Sequence, residues 1–120
     1  MVLTTEEKAC VVCLTLELMN ADYRITQNEV NFYALMQKYF SLTDSDFQNG
    51  KAMDPYNALN ILKNMPNEKK ALIGLVFRKL ISVDGQPNNP TINVLNVITI
   101  KTDLARAIKT ELEKFKSSQQ

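Results

Sequence analysis

Residues 91–100 read TINVLNVITI, and the fold class turns on them. β-Branched side chains are enriched in strands, so propensity alone favours a strand here. Strict alternation fails, because Val94-Leu95 and Val97-Ile98 are adjacent apolar pairs. Ile92, Leu95 and Ile98 instead recur every third residue, with Asn93 and Asn96 beside them, which is a helical period. The segment is expected to be helical and the chain all-α.

Outward from this segment, helix starts are marked by side chains that can accept from the first free backbone N–H groups. Asn89-Pro90 is a cap followed by proline, and Asp54-Pro55 is another. Thr4 with Glu7 and Thr26 with Glu29 are capping boxes, each followed by apolar residues at helical spacing. Asn64 or Met65 precedes Pro66, which is expected to open a helix over Ala71, Leu72, Leu75, Val76 and Leu80, ending near Asp84-Gly85. A short helical turn is expected near Thr43. Lys101 or Thr102 is expected to cap a last helix with Leu104, Ile108, Leu112 and Phe115 on its apolar side, and residues 117–120 to fray. About six or seven helices result, and the short connections predict that chain neighbours pack antiparallel. Leu16, Leu35, Leu75, Leu80, Leu95 and Ile108 are expected in the core.

Two stretches align without gaps: LELMNADYRITQNEVNFYALM, residues 16–36, and RKLISVDGQPNNPTINVLNVI, residues 78–98. Leu18 falls on Leu80, Asp22 on Asp84, Val30 on Ile92, Phe32 on Val94 and Met36 on Ile98. Each unit is a helix, a loop headed by Asp, a cap and a second helix, so the chain contains a repeated helical hairpin. The two hairpins are expected to face one another and bury their apolar stripes mutually. If they pack about a pseudo-two-fold axis, both acidic loops lie at one end of the domain.

A helix ending in Asp-Gly, a short loop, then Glu at the start of the next helix, occurring twice, resembles the TerB-like family, named for tellurite-resistance proteins of bacteria. The resemblance runs from about Glu6 to Leu104. It implies an all-helical single domain, residues 1–120, with pseudo-two-fold repeats. It also implies a non-enzymatic binding or adaptor role in a bacterial stress-response or membrane-associated assembly. Finally, it implies a divalent-cation site where the acidic loops approach each other. Carried over residue by residue, the cation ligands are Asp22, Glu29 and Asp84. Tyr23 stands where the family has Gly, whereas Asp84-Gly85 matches. Thr91 stands opposite Glu29, so the fourth carboxylate is absent. Hard cations such as Ca²⁺ take about six to eight oxygens, and affinity rises with ligand charge, so any binding is expected to be weak. The residues also allow a simpler reading, in which Asp22 and Asp84 close turns and Glu29 serves only its capping box. Neither loop has EF-hand spacing.

Composition narrows the chemistry. The 120 residues are 45% apolar and 22% charged, the balance of one globular domain. The net charge of +1 gives no electrostatic reason to expect nucleic acid. The chain contains no histidine, which removes Ser-His-Asp and Cys-His catalysis and His-ligated zinc. Cys10 and Cys13 form a C-x-x-C inside an apolar helical run, where two buried, reduced thiols are expected rather than a redox pair. No stretch reaches the roughly 18 apolar residues of a membrane span, and the chain is read as cytoplasmic. Partners are expected to be proteins, with oligomerisation open and no membrane insertion. Tyr23 at a loop tip is a recognition candidate. Of Phe32, Tyr33, Tyr39 and Phe40, any that are exposed would mark a partner surface. The competing readings are a ligand-free structural or oligomerising domain and an enzyme built on the three carboxylates.

Overall fold

The computed structural model describes residues 2–118. Among them the chain forms seven α-helices and no strand. They are α1 (Thr5–Met19), α2 (Gln27–Phe40), α3 (Asp44–Ala52), α4 (Pro55–Lys63), α5 (Asn67–Leu80), α6 (Asn89–Thr102) and α7 (Leu104–Ser118).

The capping logic holds in atomic detail. Thr4 Oγ1 accepts from Glu7 N at 3.1 Å while Glu7 Oε1 accepts from Thr4 N at 2.8 Å. Thr26 with Glu29, and Thr43 with Asp46, repeat this box. The Thr43 box opens a helix of nine residues rather than a single turn. Several boundaries differ from the sequence expectation, and α5 ends at Leu80 rather than near Asp84-Gly85. Asn88, not Asn89, caps α6, and Pro66 is itself the residue before α5. Thr102 ends α6, and α7 starts at Leu104 because Asp103 turns the chain in a left-handed conformation (φ 56°, ψ 38°). Asp tolerates that region better than most side chains. At the other end α7 continues through Ser118 rather than fraying from 117, and Gln119 and Gln120 lie outside the described residues.

Residues 91–100 are helical, as their period requires. Thr91, Leu95, Ile98 and Thr102 form the buried face of α6. Thr99 and Thr102 donate their hydroxyls to the carbonyls of Leu95 and Ile98, at 2.8 and 2.7 Å. Burial of one face plus locally satisfied hydroxyls outweighs the β-propensity of the segment.

The core is one contiguous cluster built around α1, whose residues from Ala9 to Thr15 are all buried. α3, α4 and α6 pack on α1, and α5 packs most extensively on α7. Of the chain neighbours, only the last, α5 with α6 and α6 with α7, pack appreciably as the short connections suggested; the main contacts are between helices further apart in the chain. α2 buries only Met36 and Phe40 and leaves α1 to be covered by later helices. Gly50 permits the α1–α3 contact, since a Cβ there would collide with the Val12 side chain and lie 2.7 Å from the Ala9 carbonyl oxygen.

Of the expected core, Leu80, Leu95 and Ile108 are buried, and Leu16 is half-buried. Leu35 and Leu75 are not core; they are 62% and 46% exposed. Both lie at apolar positions of a helical period, but no element covers them. Gly50→Ala should lower stability by about 1–3 kcal/mol, because the collision is with backbone and a β-branched side chain. Leu75→Ala should cost under about 1 kcal/mol, as expected of a half-exposed side chain. Chemical denaturation of both variants measures the two losses side by side.

Candidate functional site

The turn after α1 and the turn after α5 meet at one end of the molecule, as the repeat requires. Asp22, Glu29, Asp84, Asn88 and Thr91 all line one cavity of about 200 Å³ there. The carboxylates do not stand free in it. Asp84 accepts from Thr26 Oγ1 at 2.6 Å and from Asn28 Nδ2 at 2.9 Å. Asp22 accepts from Asn88 Nδ2 at 2.7 Å and from the Arg24 backbone N–H at 3.1 Å. Thr26 caps α2 and Asn88 caps α6, and the two occupy equivalent positions in the repeat. Each loop aspartate thus grips the N-cap of the other hairpin. Thr26 Oγ1 and Asn88 Oδ1 meanwhile accept from the backbone of Glu29 and Thr91, at 3.2 and 3.1 Å.

This double duty explains the residue types. An N-cap needs only an acceptor, so Asp would serve. A cap that must also reach a carboxylate needs a donor, which Thr and Asn have and ionised Asp lacks. The sequence shows two capping side chains beside the repeated aspartates, but the cross-links between hairpins are long-range and were not anticipated from local spacing. Glu29 Oε1 accepts from the Thr26 backbone N–H at 2.9 Å and closes its capping box.

Mutual repulsion of the carboxylates would push a pKa up. Asp22 goes the other way: the Asn88 amide and the Arg24 N–H hold its carboxyl below the usual carboxylate range. Among the described residues, no three His, Cys, Asp or Glu side chains converge closely enough to hold a metal ion.

Tyr23 and Gly85 follow the two aspartates, and both have positive φ, 61° and 100°. The loop demands that conformation, so Tyr23 carries a strain that Gly85 does not. The Tyr23 side chain is 98% exposed.

Cys10 and Cys13 are buried and unpaired. Burial pushes the Cys10 thiol up to about 12 and the Cys13 thiol up to about 11. Their Sγ atoms lie 3.1 Å from the Ala58 carbonyl and 3.5 Å from the Met53 carbonyl. They are packing groups, protonated at neutral pH.

A second concavity, about 460 Å³ and almost wholly apolar, runs between α2 and α5. Phe32, Leu35, Met36 and Tyr39 of α2 line it, facing Leu72 and Val76 of α5. Tyr39 is 64% exposed, and its ring meets the buried Phe40 edge-on at 5.1 Å. Phe32 and Tyr33 are half-buried. Of the four clustered aromatics, Tyr39 is therefore the one that marks an outward surface.

No protein-family model and no curated protein matches this chain. In fold it is similar to the crystal structure of PG1108, a protein of unknown function from Porphyromonas gingivalis W83. The TM-score is 0.74 and the identity 14%, over 92% of this chain and 96% of that one. At that identity the likeness concerns the fold alone. Among the described residues, no helix is long and apolar enough to cross a membrane.

Asn88→Asp keeps the cap acceptor but sets a second carboxylate against Asp22. The variant should be less stable than the parent at pH 7, and the deficit should shrink below about pH 4 as the pair protonates. In the parent the folded-state pKa of Asp22 is depressed. Its contribution is therefore present above the unfolded-state pKa and is lost as pH falls through the folded value. Urea melts across pH, with carboxyl NMR titration of Asp22, follow both. Tyr23→Gly should raise stability by about 1 kcal/mol by relieving the left-handed strain, read as an upward shift in the denaturation midpoint.

Proposed function

We propose that this chain is a non-enzymatic binding or adaptor module that engages another protein through the α2–α5 groove. The observation that carries this reading is the groove itself, where Leu35 and Tyr39 stay exposed over an apolar floor. Large apolar side chains gathered at one concavity are the usual mark of a docking surface. The carboxylate-enzyme reading is weaker, because Asp22, Glu29 and Asp84 already accept hydrogen bonds that hold caps and loops. The TerB-like resemblance, carried by Asp22, Glu29, Asp84-Gly85 and the two-fold repeat, supports a place in a bacterial stress-response or membrane-associated assembly.

The test is a selection of helical peptides displayed on phage, run in parallel on the parent and on Leu35→Asp, which alters an exposed position. Enrichment on the parent that disappears on the variant is the expected result. Equal enrichment on both, or none, would sink the groove reading and favour a ligand-free structural domain.

A divalent cation at Asp22, Glu29 and Asp84 is the second reading: the three line one cavity, though they would have to draw closer to share an ion. A cation would need the Asn88 and Asn28 amides to turn their oxygens inward in place of their N–H groups. Calorimetric titration with Ca²⁺ should then give weak binding, on the order of 10⁻⁴–10⁻³ M. Thr91→Glu should tighten it and Asp84→Asn weaken it. Affinity indifferent to both changes would reduce these residues to loop-formers.

A further inference from the structure

The pairing of Asp22 with Asp84 extends well beyond the two aligned hairpins. In the same register Ser41 falls on Asp103, and these are the two left-handed residues that end α2 and α6. α3, which follows α2, packs on α1 as α7, which follows α6, packs on α5. Each half is therefore a three-helix unit. α4 is the one helix without a counterpart.

α4 sits on α1 and α6. The α1 strip under and beside it includes Cys10, Cys13, Leu14 and Glu17. Leu14 and Glu17 of this strip, with Val94, Val97 and Ile98 of α6, line a cavity of about 230 Å³ flanked by Tyr56 and Leu59 of α4. In the repeat register Cys10, Cys13, Leu14 and Glu17 fall on Leu72, Leu75, Val76 and Lys79 of α5. Val94, Val97 and Ile98 fall on Phe32, Leu35 and Met36 of α2. The α2–α5 groove is therefore the pseudo-symmetric copy of the seat that α4 occupies. Under α4 the middle of the strip is dry, with Cys10, Cys13 and Leu14 at most 4% exposed, while Glu17 and Val97 at its edge stay exposed. On the vacant side, Leu72 and Val76 are only half-buried, and Leu75 is 46% exposed.

Charge separates the two seats. Lys79 stands where the α4 seat has Glu17, and Lys38 falls on Ile100, an exposed residue of α6 beyond that seat. Lys38 lines the groove, and Lys79 follows Val76 by one turn. Neither is in an ion pair among the described residues. α4 itself carries Lys63 and no acidic residue within the helix.

The geometry points to one kind of occupant: an amphipathic helix from a partner protein, seated in the α2–α5 groove as α4 is seated on α1 and α6, with carboxylates facing Lys38 and Lys79. This rests on the binding-module reading and adds the partner's shape and charge to it.

Two synthetic peptides test it. One has the sequence of residues 54–65, and the other carries Asn57→Glu and Lys63→Glu as well. Both are locked as helices by a hydrocarbon staple between positions 60 and 64, because free peptides this short are marginally helical. Titrated into the ¹⁵N-labelled chain, the acidic peptide should shift the amide resonances of Leu35, Tyr39, Leu72 and Val76. It should bind about five- to tenfold more tightly than the parent peptide. That advantage should shrink in 1 M salt, where screening is strong. Lys38→Glu with Lys79→Glu should reverse the preference, and Leu35→Asp should remove binding of both peptides while leaving the helical circular dichroism intact.

Equal affinity for the two peptides would overturn the charge assignment. Shifts elsewhere, or none, would overturn the seat. Sedimentation showing a dimer that Leu35→Asp dissociates would mean that a second copy covers the groove, which also overturns the proposal. If the peptides fail but the display selection still yields binders lost on Leu35→Asp, the binding-module reading stands and this inference alone falls.

Discussion

Between Ala9 and Thr15, helix α1 has no side for water, and every residue there is buried. A helix apolar all round must be covered on every side, and this requirement organises the rest of the molecule. α3, α4 and α6 supply the cover. Two of them approach closely because they offer small residues, Gly50 against Val12 and Ala58 against Cys10. The Cys10 thiol also donates to the Ala58 carbonyl, so a side chain small enough for a tight helix contact satisfies a polar group within it.

The second half solves the same packing problem with the roles exchanged. Val12 falls on Gly74 in the repeat register. In the first half the glycine is on the covering helix α3. In the second it is on α5, where an added Cβ would lie 2.9 Å from Leu104 and 3.0 Å from Ile108 of α7. One close helix contact is kept, and which helix gives up its side chain has changed. What the second half lacks is a helix in the position of α4. α5 is accordingly amphipathic, where α1 is buried on every side from Ala9 to Thr15.

This asymmetry separates what could be read in the sequence from what could not. Helix starts were legible because a cap and its N3 partner are three residues apart, and the Thr4, Thr26 and Asp54 signals sit at real termini. The period of residues 91–100 was legible because burial of Leu95 and Ile98 on one face imposes it. Leu35 and Leu75 were misplaced for one shared reason. Periodicity records which positions are apolar, not whether another element covers them, and both belong to the uncovered α2–α5 side. The acidic end was half-legible. The repeat brings Asp22 and Asp84 together, but their Asn88 and Thr26 partners come from the opposite hairpin, and local spacing carries no trace of such pairs.

The two ends of α2 connect that acidic clasp to the groove. At its start, Thr26 and Asn28 are held by Asp84 across the pseudo-two-fold. At its finish, Phe40 and Leu42 are buried in the core, and Ser41 turns the chain through a left-handed residue. Between those anchors Met36 is the one other buried residue of the helix. A helix fixed at both ends and lightly packed along its length belongs to the less stable part of a fold, where small displacements cost little. Such a span can shift without disturbing α1, which other helices cover. Of the two aspartates in the clasp, Asp84 is the one that fixes the start of α2, through Thr26 and Asn28, while Asp22 fixes the start of α6 through Asn88.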